Sequence, residues 1–204
     1  MKLRALCKAI QFDGLRRRVV VAPAVEVEQR PVEHAGAARL VGHPQGDGLN
    51  HANAPISMAT IPPLEILEAA YPVKFTQWAL RQDSGGPGKH RGGLGAIYEL
   101  ELLEEQADVF LFGERGRFAP PGVLGGEAAA KNEFHYPDGD ALRSPPMVSK
   151  VVGVSLKRGE RLRLETPGGG GFEAPRLRCP KAVAEDVRLG YVSEQAARDA
   201  YGVV

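Results

Sequence analysis

The sequence predicts a β-rich α+β fold: a sandwich or barrel-like sheet core over about residues 73–166, short helices before it, and a two-helix tail at about 180–201. Three observations carry this expectation. Apolar and charged residues alternate with period two over 96–103, where Tyr98, Leu100 and Leu102 interleave with Glu99 and Glu101. Clusters of Gly and Pro separate the apolar runs, as turns between strands require. Beyond the four glycines Gly168–Gly171 the spacing changes to that of helices, with Val183 and Val187 four apart.

Composition narrows the function classes. The chain has 204 residues, enough for a substantial core, and its 26 Lys and Arg nearly balance 25 Asp and Glu. No global field therefore points to nucleic acid or to an anionic membrane. The longest apolar runs are too short to span a bilayer, and the first ten residues lack the apolar stretch of a secretory signal. Cys7 and Cys179 form no C-x-x-C pair, so a reduced, cytoplasmic setting is expected.

Taken in order, residues 1–40 read as a separate segment with one strand near 18–28, led by Arg16, Arg17 and Arg18. No aromatic interleaving makes that triplet a nucleic-acid contact. Residues 42–55 form a turn-rich loop. His43, Asp47 and His51 recur every four residues, but Pro44, Gly46 and Gly48 rule out a helix through them. They are candidates for a divalent metal, set against ordinary Asx and glycine turns. A helix is expected over 62–70, then strands over 73–81 (core candidates Phe75, Trp78 and Leu80), 96–103 and 107–113. The last, with Val109, Phe110, Leu111 and Phe112, is apolar on both faces and reads as a central strand. Further strands over 132–136, 147–156 and 161–165 follow, with turns at Pro137-Asp138-Gly139 and Lys157-Arg158-Gly159. In the tail, Pro180 opens a helix that Gly190 stops, and Ser193 caps a second. Cys179 at the first helix start is read as structural.

The chemistry-bearing stretch is residues 83–95, Asp-Ser-Gly-Gly-Pro-Gly-Lys-His-Arg-Gly-Gly-Leu-Gly. Glycine permits φ > 0 or close backbone approach, and successive N–H groups can cradle an anion beside Lys89 and Arg91. It is not a nucleotide loop. A Walker loop needs Gly where Asp83 stands and Ser or Thr where His90 stands, and Arg91 stands where the third glycine of G-x-G-x-x-G should be. Asp83, Ser84, Lys89, His90 and Arg91 are thus candidates for substrate or anion binding, and a plain turn is the alternative. Glu114 and Arg115, after the expected central strand, join that set as either a carboxylate clamp or an internal ion pair.

Several motifs stand together in one order: Asn53-x-Pro55, Glu65-x-x-Glu68-x-x-Tyr71-Pro72, Arg81-x-x-Ser84-Gly85-Gly86-x-Gly88-x-x-Arg91-Gly92-Gly93-x-Gly95, Glu114-Arg115, Glu165-Thr166-Pro167-Gly168-Gly169-Gly170-Gly171 and a tail at 187–193. Over residues 41–204 the chain resembles the C-terminal part of the hydantoinase B/oxoprolinase family. That family includes the B subunit of ATP-dependent N-methylhydantoinase, part of 5-oxoprolinase, and subunits of acetone and acetophenone carboxylases. The resemblance implies ATP-dependent hydrolytic ring opening of a cyclic amide, with a hydantoinase-A-type subunit binding ATP in a hetero-oligomer that also holds a divalent metal. Family members are much longer, and their metal-binding text lies upstream of the matching region, so this chain alone is expected to be inactive. Two rival readings are a carboxylase-type subunit and a non-catalytic subunit-contact module.

Overall fold

The computed structural model describes residues 10–13, 18–21, 41–51, 63–138, 141–146 and 148–203. The Arg16-Arg17 pair, residues 22–40, Cys7 and the Asn53-x-Pro55 motif lie outside the described residues.

Among the described residues, nine strands form two open sheets. One has the order β1 (Ile10–Asp13), β2 (Arg18–Val21), β5 (Gln106–Phe112), β8 (Lys150–Lys157). The other runs β3 (Val73–Leu80), β4 (Ala96–Leu102), β9 (Arg161–Glu165), β6 (Glu133–Asp138), β7 (Ala141–Arg143). All pairings are antiparallel except β2 beside β5. The inner faces share one core, with Leu100 and Leu102 from β4, Val109 and Leu111 from β5, Phe134 from β6, Leu156 from β8, and Leu162 and Leu164 from β9. The arrangement is a sandwich rather than a closed barrel, built from side chains that alternate inward and outward along each strand.

The alternation explains which expectations hold. On β4, Leu100 and Leu102 point inward while Glu99 and Glu101 carry ion pairs with Arg161 and Arg163 outside. On β3 a bulge between Phe75 and Gln77 shifts the register, so that Trp78 lies opposite Tyr98 as Phe75 lies opposite Leu100. Leu80, beyond the core at the strand end, is exposed. The strand β5 is central, between β2 and β8, but only one of its faces is buried; Phe112 points outward. The predicted strand over 147–156 starts at Lys150, because Val148 has φ 62 and breaks the extended run. Neither β1 nor the three-residue edge strand β7 was expected from periodicity.

A short helix, α1 (Leu64–Ala70), packs on β3 through buried Leu67 and through Glu68 Oε1, which accepts the Phe75 N–H at 2.7 Å. After a 3₁₀ turn at Pro175–Leu177, the tail forms α2 (Pro180–Arg188) and α3 (Glu194–Ala196), the latter running into a π-helical turn at Ala197–Tyr201. Ser193 caps α3 as expected, its Oγ accepting the Ala196 N–H at 3.1 Å. Val183, Val192, Ala197 and Tyr201 form a small core of their own. Among the described residues no helix is long and apolar enough to cross a membrane.

Candidate functional site: a glycine platform locked by buried charges

Residues 83–95 leave β3 and return into β4, so both ends are anchored in neighbouring strands. Ser84, fully buried, ties the two ends together. Its Oγ donates to the Arg81 carbonyl at 2.5 Å and accepts the Gly95 N–H at 2.9 Å. The glycines between them are needed for space rather than for φ > 0. Positive-φ glycines are Gly125, Gly153, Gly159, Gly190 and Gly202, none of them in this loop. A Cβ on Gly86 would lie 2.6 Å from the Gly171 nitrogen, and one on Gly88 would lie 2.6 Å from the Phe172 nitrogen. Two glycine runs are therefore pressed backbone to backbone, which only residues without a Cβ permit.

That contact also decides what the loop amides do. The Gly86 N–H donates to Gly169 O at 2.8 Å, Gly92 N–H to Gly86 O at 3.0 Å, Gly169 N–H to Gly93 O at 2.9 Å, and Gly171 N–H to Glu127 O at 3.0 Å. These donors are engaged with carbonyls rather than turned toward an anion. The one left-handed residue of the loop is Asp83 (φ 58). Its N–H donates to Tyr191 O at 3.0 Å and its Oδ1 accepts the Ser193 N–H at 2.7 Å, which docks the start of α3 on the loop.

Beneath the platform lies a group of four charges. The Arg178 guanidinium forks onto Asp47, at 2.6 Å to Oδ1 and 2.7 Å to Oδ2, and Nη2 also donates to Asp186 Oδ2 at 2.7 Å. Arg91 sits with Nε 3.5 Å from Asp186 Oδ1, Nη1 2.6 Å from Gly92 O, and its guanidinium over the Tyr191 ring. The Arg91 N–H donates to Asp47 Oδ1 at 2.7 Å. Arg91, Arg178 and Asp186 are all buried, and two cations face two anions. Burial alone would raise the Asp47 carboxyl, but hydrogen bonds and charge from Arg178, with help from Arg91, outweigh it and hold the group below its ordinary value. Burial pushes the neighbouring Tyr201 phenol up to about 12. Three separate segments are joined here: the 42–51 loop, the glycine loop and the helical tail.

A family profile for hydantoinase B/oxoprolinase matches residues 20–175. The chain belongs to that family. It is 38% identical over 148 residues to the caprolactamase subunit beta of Pseudomonas jessenii, covering 69% of this chain and 25% of that protein. The crystal structure of ATP-dependent caprolactamase from Pseudomonas jessenii superposes with a TM-score of 0.66 at 29% identity, over 81% of this chain and 29% of that one. A nucleotide-free acetone carboxylase structure gives 0.64 at 27% identity, over 79% and 25%. The chain thus spans about a quarter of the length of that caprolactamase subunit and of the two solved relatives.

Within this hydantoinase B region, the predicted site residues divide into three groups. Ser84, Arg91 and Asp83 belong to the platform and its lock. Lys89 pairs with Glu173 at 2.7 Å, and His90 bridges its backbone to Phe172, so both staple the loop to the second glycine run. Glu114 and Arg115 stand elsewhere. Glu114 pairs with Lys150 at 2.6 Å, while Arg115 adopts φ 64 and offers its carbonyl to the Asn132 N–H. The Glu114–Lys150 pair is an internal ion pair that ties this loop to the start of β8. Periodicity also missed Arg178 and Asp186. The available signal was Asp186 three residues after Val183 on the inward face of α2, a carboxylate that needs a cation to be buried.

His43, Asp47 and His51 do not converge. The His43 ring meets Gln45 at 3.2 Å, Asp47 holds Arg178, and His51 Nε2 lies 2.6 Å from the Tyr98 hydroxyl with its ring edge toward Trp78. Among the described residues no group of three His, Cys, Asp or Glu could hold a metal. The residues here do not fit the divalent metal that the family implies, since the Asp47 oxygens already accept three N–H bonds. Chemically, the arrangement ties three segments together through ion pairs and hydrogen bonds among Arg91, Arg178, Asp47 and Asp186.

Proposed function

We propose that this chain supplies the C-terminal scaffold of a hydantoinase-B-type subunit. Together with an A-type subunit that binds ATP, that subunit carries out hydrolytic ring opening of a cyclic amide of the N-methylhydantoin or 5-oxoproline class. Family membership supports the subunit type, and the caprolactamase likeness supports an ATP-dependent amide hydrolase. The observation that carries the division of labour is the buried lock. A general base or a phosphate clamp must reach the reacting atoms, whereas Arg91, Arg178, Asp47 and Asp186 are spent on one another. The region therefore positions and does not itself activate water, and the setting is a cytoplasmic hetero-oligomer.

Purified alone, the chain is expected neither to hydrolyse ATP nor to open hydantoin or 5-oxoproline, with or without Mg²⁺, Mn²⁺ or Zn²⁺. Adding an A-type subunit leaves it inactive; adding the upstream portion of a B subunit as well restores ring opening. Turnover by the isolated chain that His51→Ala abolishes overturns this reading. The internal pairing of every charged group in the lock also favours a second reading, a subunit-contact module without catalytic output. Complexes that assemble but never turn over cyclic amides select it, and bicarbonate-dependent consumption of acetone selects the carboxylase branch.

A further inference from the structure

The two sheets present opposite kinds of outer face. Outward positions of the β3–β4–β9–β6 sheet carry Glu99, Glu101, Arg161, Arg163 and Glu165, knitted into ion pairs. That is a solvated surface. On the other sheet, the outward side chains of β5 include Phe110, half-buried, and Phe112, 46% exposed, where a single-sided strand would carry polar residues. Next to them on β8, a register shift opposite Val109 and Leu111 leaves Val152 64% exposed beside Gly153 at φ 74. Gly116 is packed against Ser149, which brings the loop after β5 back to the start of β8 and places Phe118, 71% exposed, at the same end. The Glu114–Lys150 pair and Arg117 supply a polar rim. An apolar centre with a charged border is the anatomy of an interface, and a row of large exposed apolar groups on a sheet face marks a partner site.

We propose that this outer face of the β1–β2–β5–β8 sheet, centred on Phe112 and Val152, is the seat for the upstream portion of a hydantoinase-B-type subunit. The inference rests on the scaffold reading above. Two facts choose this occupant. The solved relatives carry the equivalent region as 25–29% of one continuous chain, so the rest of that chain must pack against some face of it. The first described strands, β1 and β2, belong to this sheet, with β2 parallel to β5, so the N-terminal end of the described chain lies in it. Burying the ion pairs of the charged sheet would instead cost their solvation.

The test is co-expression of the full 204-residue chain with the Pseudomonas jessenii caprolactamase subunit beta lacking its matching quarter, read by co-purification and hydrogen exchange, with no turnover needed. Expected is a stoichiometric complex in which amides of 108–112 and 150–154 gain protection, with affinity lowered at least about tenfold by Phe112→Glu or Val152→Glu and unchanged by Lys74→Glu on the charged sheet. Both Glu variants place charge at exposed positions, and the wild-type exchange map reads the interface even if one fails to fold. Protection on another face overturns the proposal, as does a complex indifferent to both Glu variants. Also decisive against it are an upstream portion that stays insoluble or unbound with this chain present, self-association of this chain through the same face, or an A-type subunit seated there instead. Because binding is read, a complex that forms as expected but shows no ring opening counts against the proposed activity and leaves this interface standing.

Discussion

The sandwich and the glycine platform hold the same chain together by opposite means. In the sandwich, side chains do the packing: Leu100, Leu111, Phe134 and Leu162 fill the space between two sheets, and the backbone groups satisfy each other in ladders. In the platform, side chains are removed so that backbones can touch, and cohesion comes from carbonyl–amide bonds between loops and from four paired charges, three of them buried. A core of alkyl groups loses stability in steps as atoms are deleted, because neighbours relax into the space. A floor of backbone on backbone cannot yield to an added group, and a buried charge cannot lose its partner cheaply. The platform should therefore be the less forgiving half, and that difference can be measured.

The largest effect is expected at the glycine contact. Valine at Gly92 would put a Cβ 2.5 Å from the Gly169 carbonyl carbon, and valine at Gly86 would collide with Gly170 and Gly171. Either should cost more than about 4 kcal/mol and leave little folded protein. Unchanged urea midpoints in both variants would refute the platform as described. Next comes the lock. Arg178→Ala removes the cation paired with Asp47, leaves Asp186 with Arg91 alone, and should destabilise by about 3–5 kcal/mol. Arg178→Lys keeps the charge but loses the fork onto Asp47, so it should fall between. Equal midpoints for wild type and Arg178→Ala would show that the lock is ornamental. For comparison, Leu164→Ala in the sandwich should cost about 2–5 kcal/mol while still unfolding cooperatively.

The same division explains what could be read in the sequence. Strands β4, β5 and β9 were legible because alternation is local: Leu100 and Leu102 announce their face within five residues. The family motifs were legible as well, and they picked out Ser84 and Arg91 as members of one structure. What that structure is for was not legible. Arg91 meets Asp47 from 44 residues upstream, and Arg178 meets Asp47 across 131 residues, and no period links such positions. Glycine density allows either freedom of φ or close backbone approach; the structure uses the second, for clearance against a second glycine run about 80 residues away, a partner no local rule could locate. The bulge on β3 shows the same limit at short range. Gln77 and Trp78 exchange faces through one extra residue, which a strict alternation cannot anticipate.

The smallest expected effect concerns pH, and it sharpens the comparison because the platform and the sandwich meet at His51. Its N–H donates to Leu94 O at 2.7 Å, on the platform side, while its ring lies against Tyr98 and Trp78 of the sandwich. Burial lowers the imidazole from its ordinary value, since the charged form would lose water with no carboxylate shown to compensate. A depressed pKa means that the unfolded chain binds this proton more tightly. Stability is therefore complete above the unfolded value near 6.5 and is lost as pH falls through the lower, folded value. The lowered Asp47 carboxyl has the same sign, but its window opens only below about 3.8, so the two acid limbs are separable. Denaturant midpoints followed between about pH 8 and 5 should decline in the wild type. In His51→Gln, which keeps a polar partner for Tyr98 but cannot titrate, the decline should flatten. The imidazole itself can be followed by the NMR shift of its Cε1 proton. If that proton titrates at or above the ordinary histidine value, or if the variant keeps the full slope, His51 is solvated and does not join the two halves.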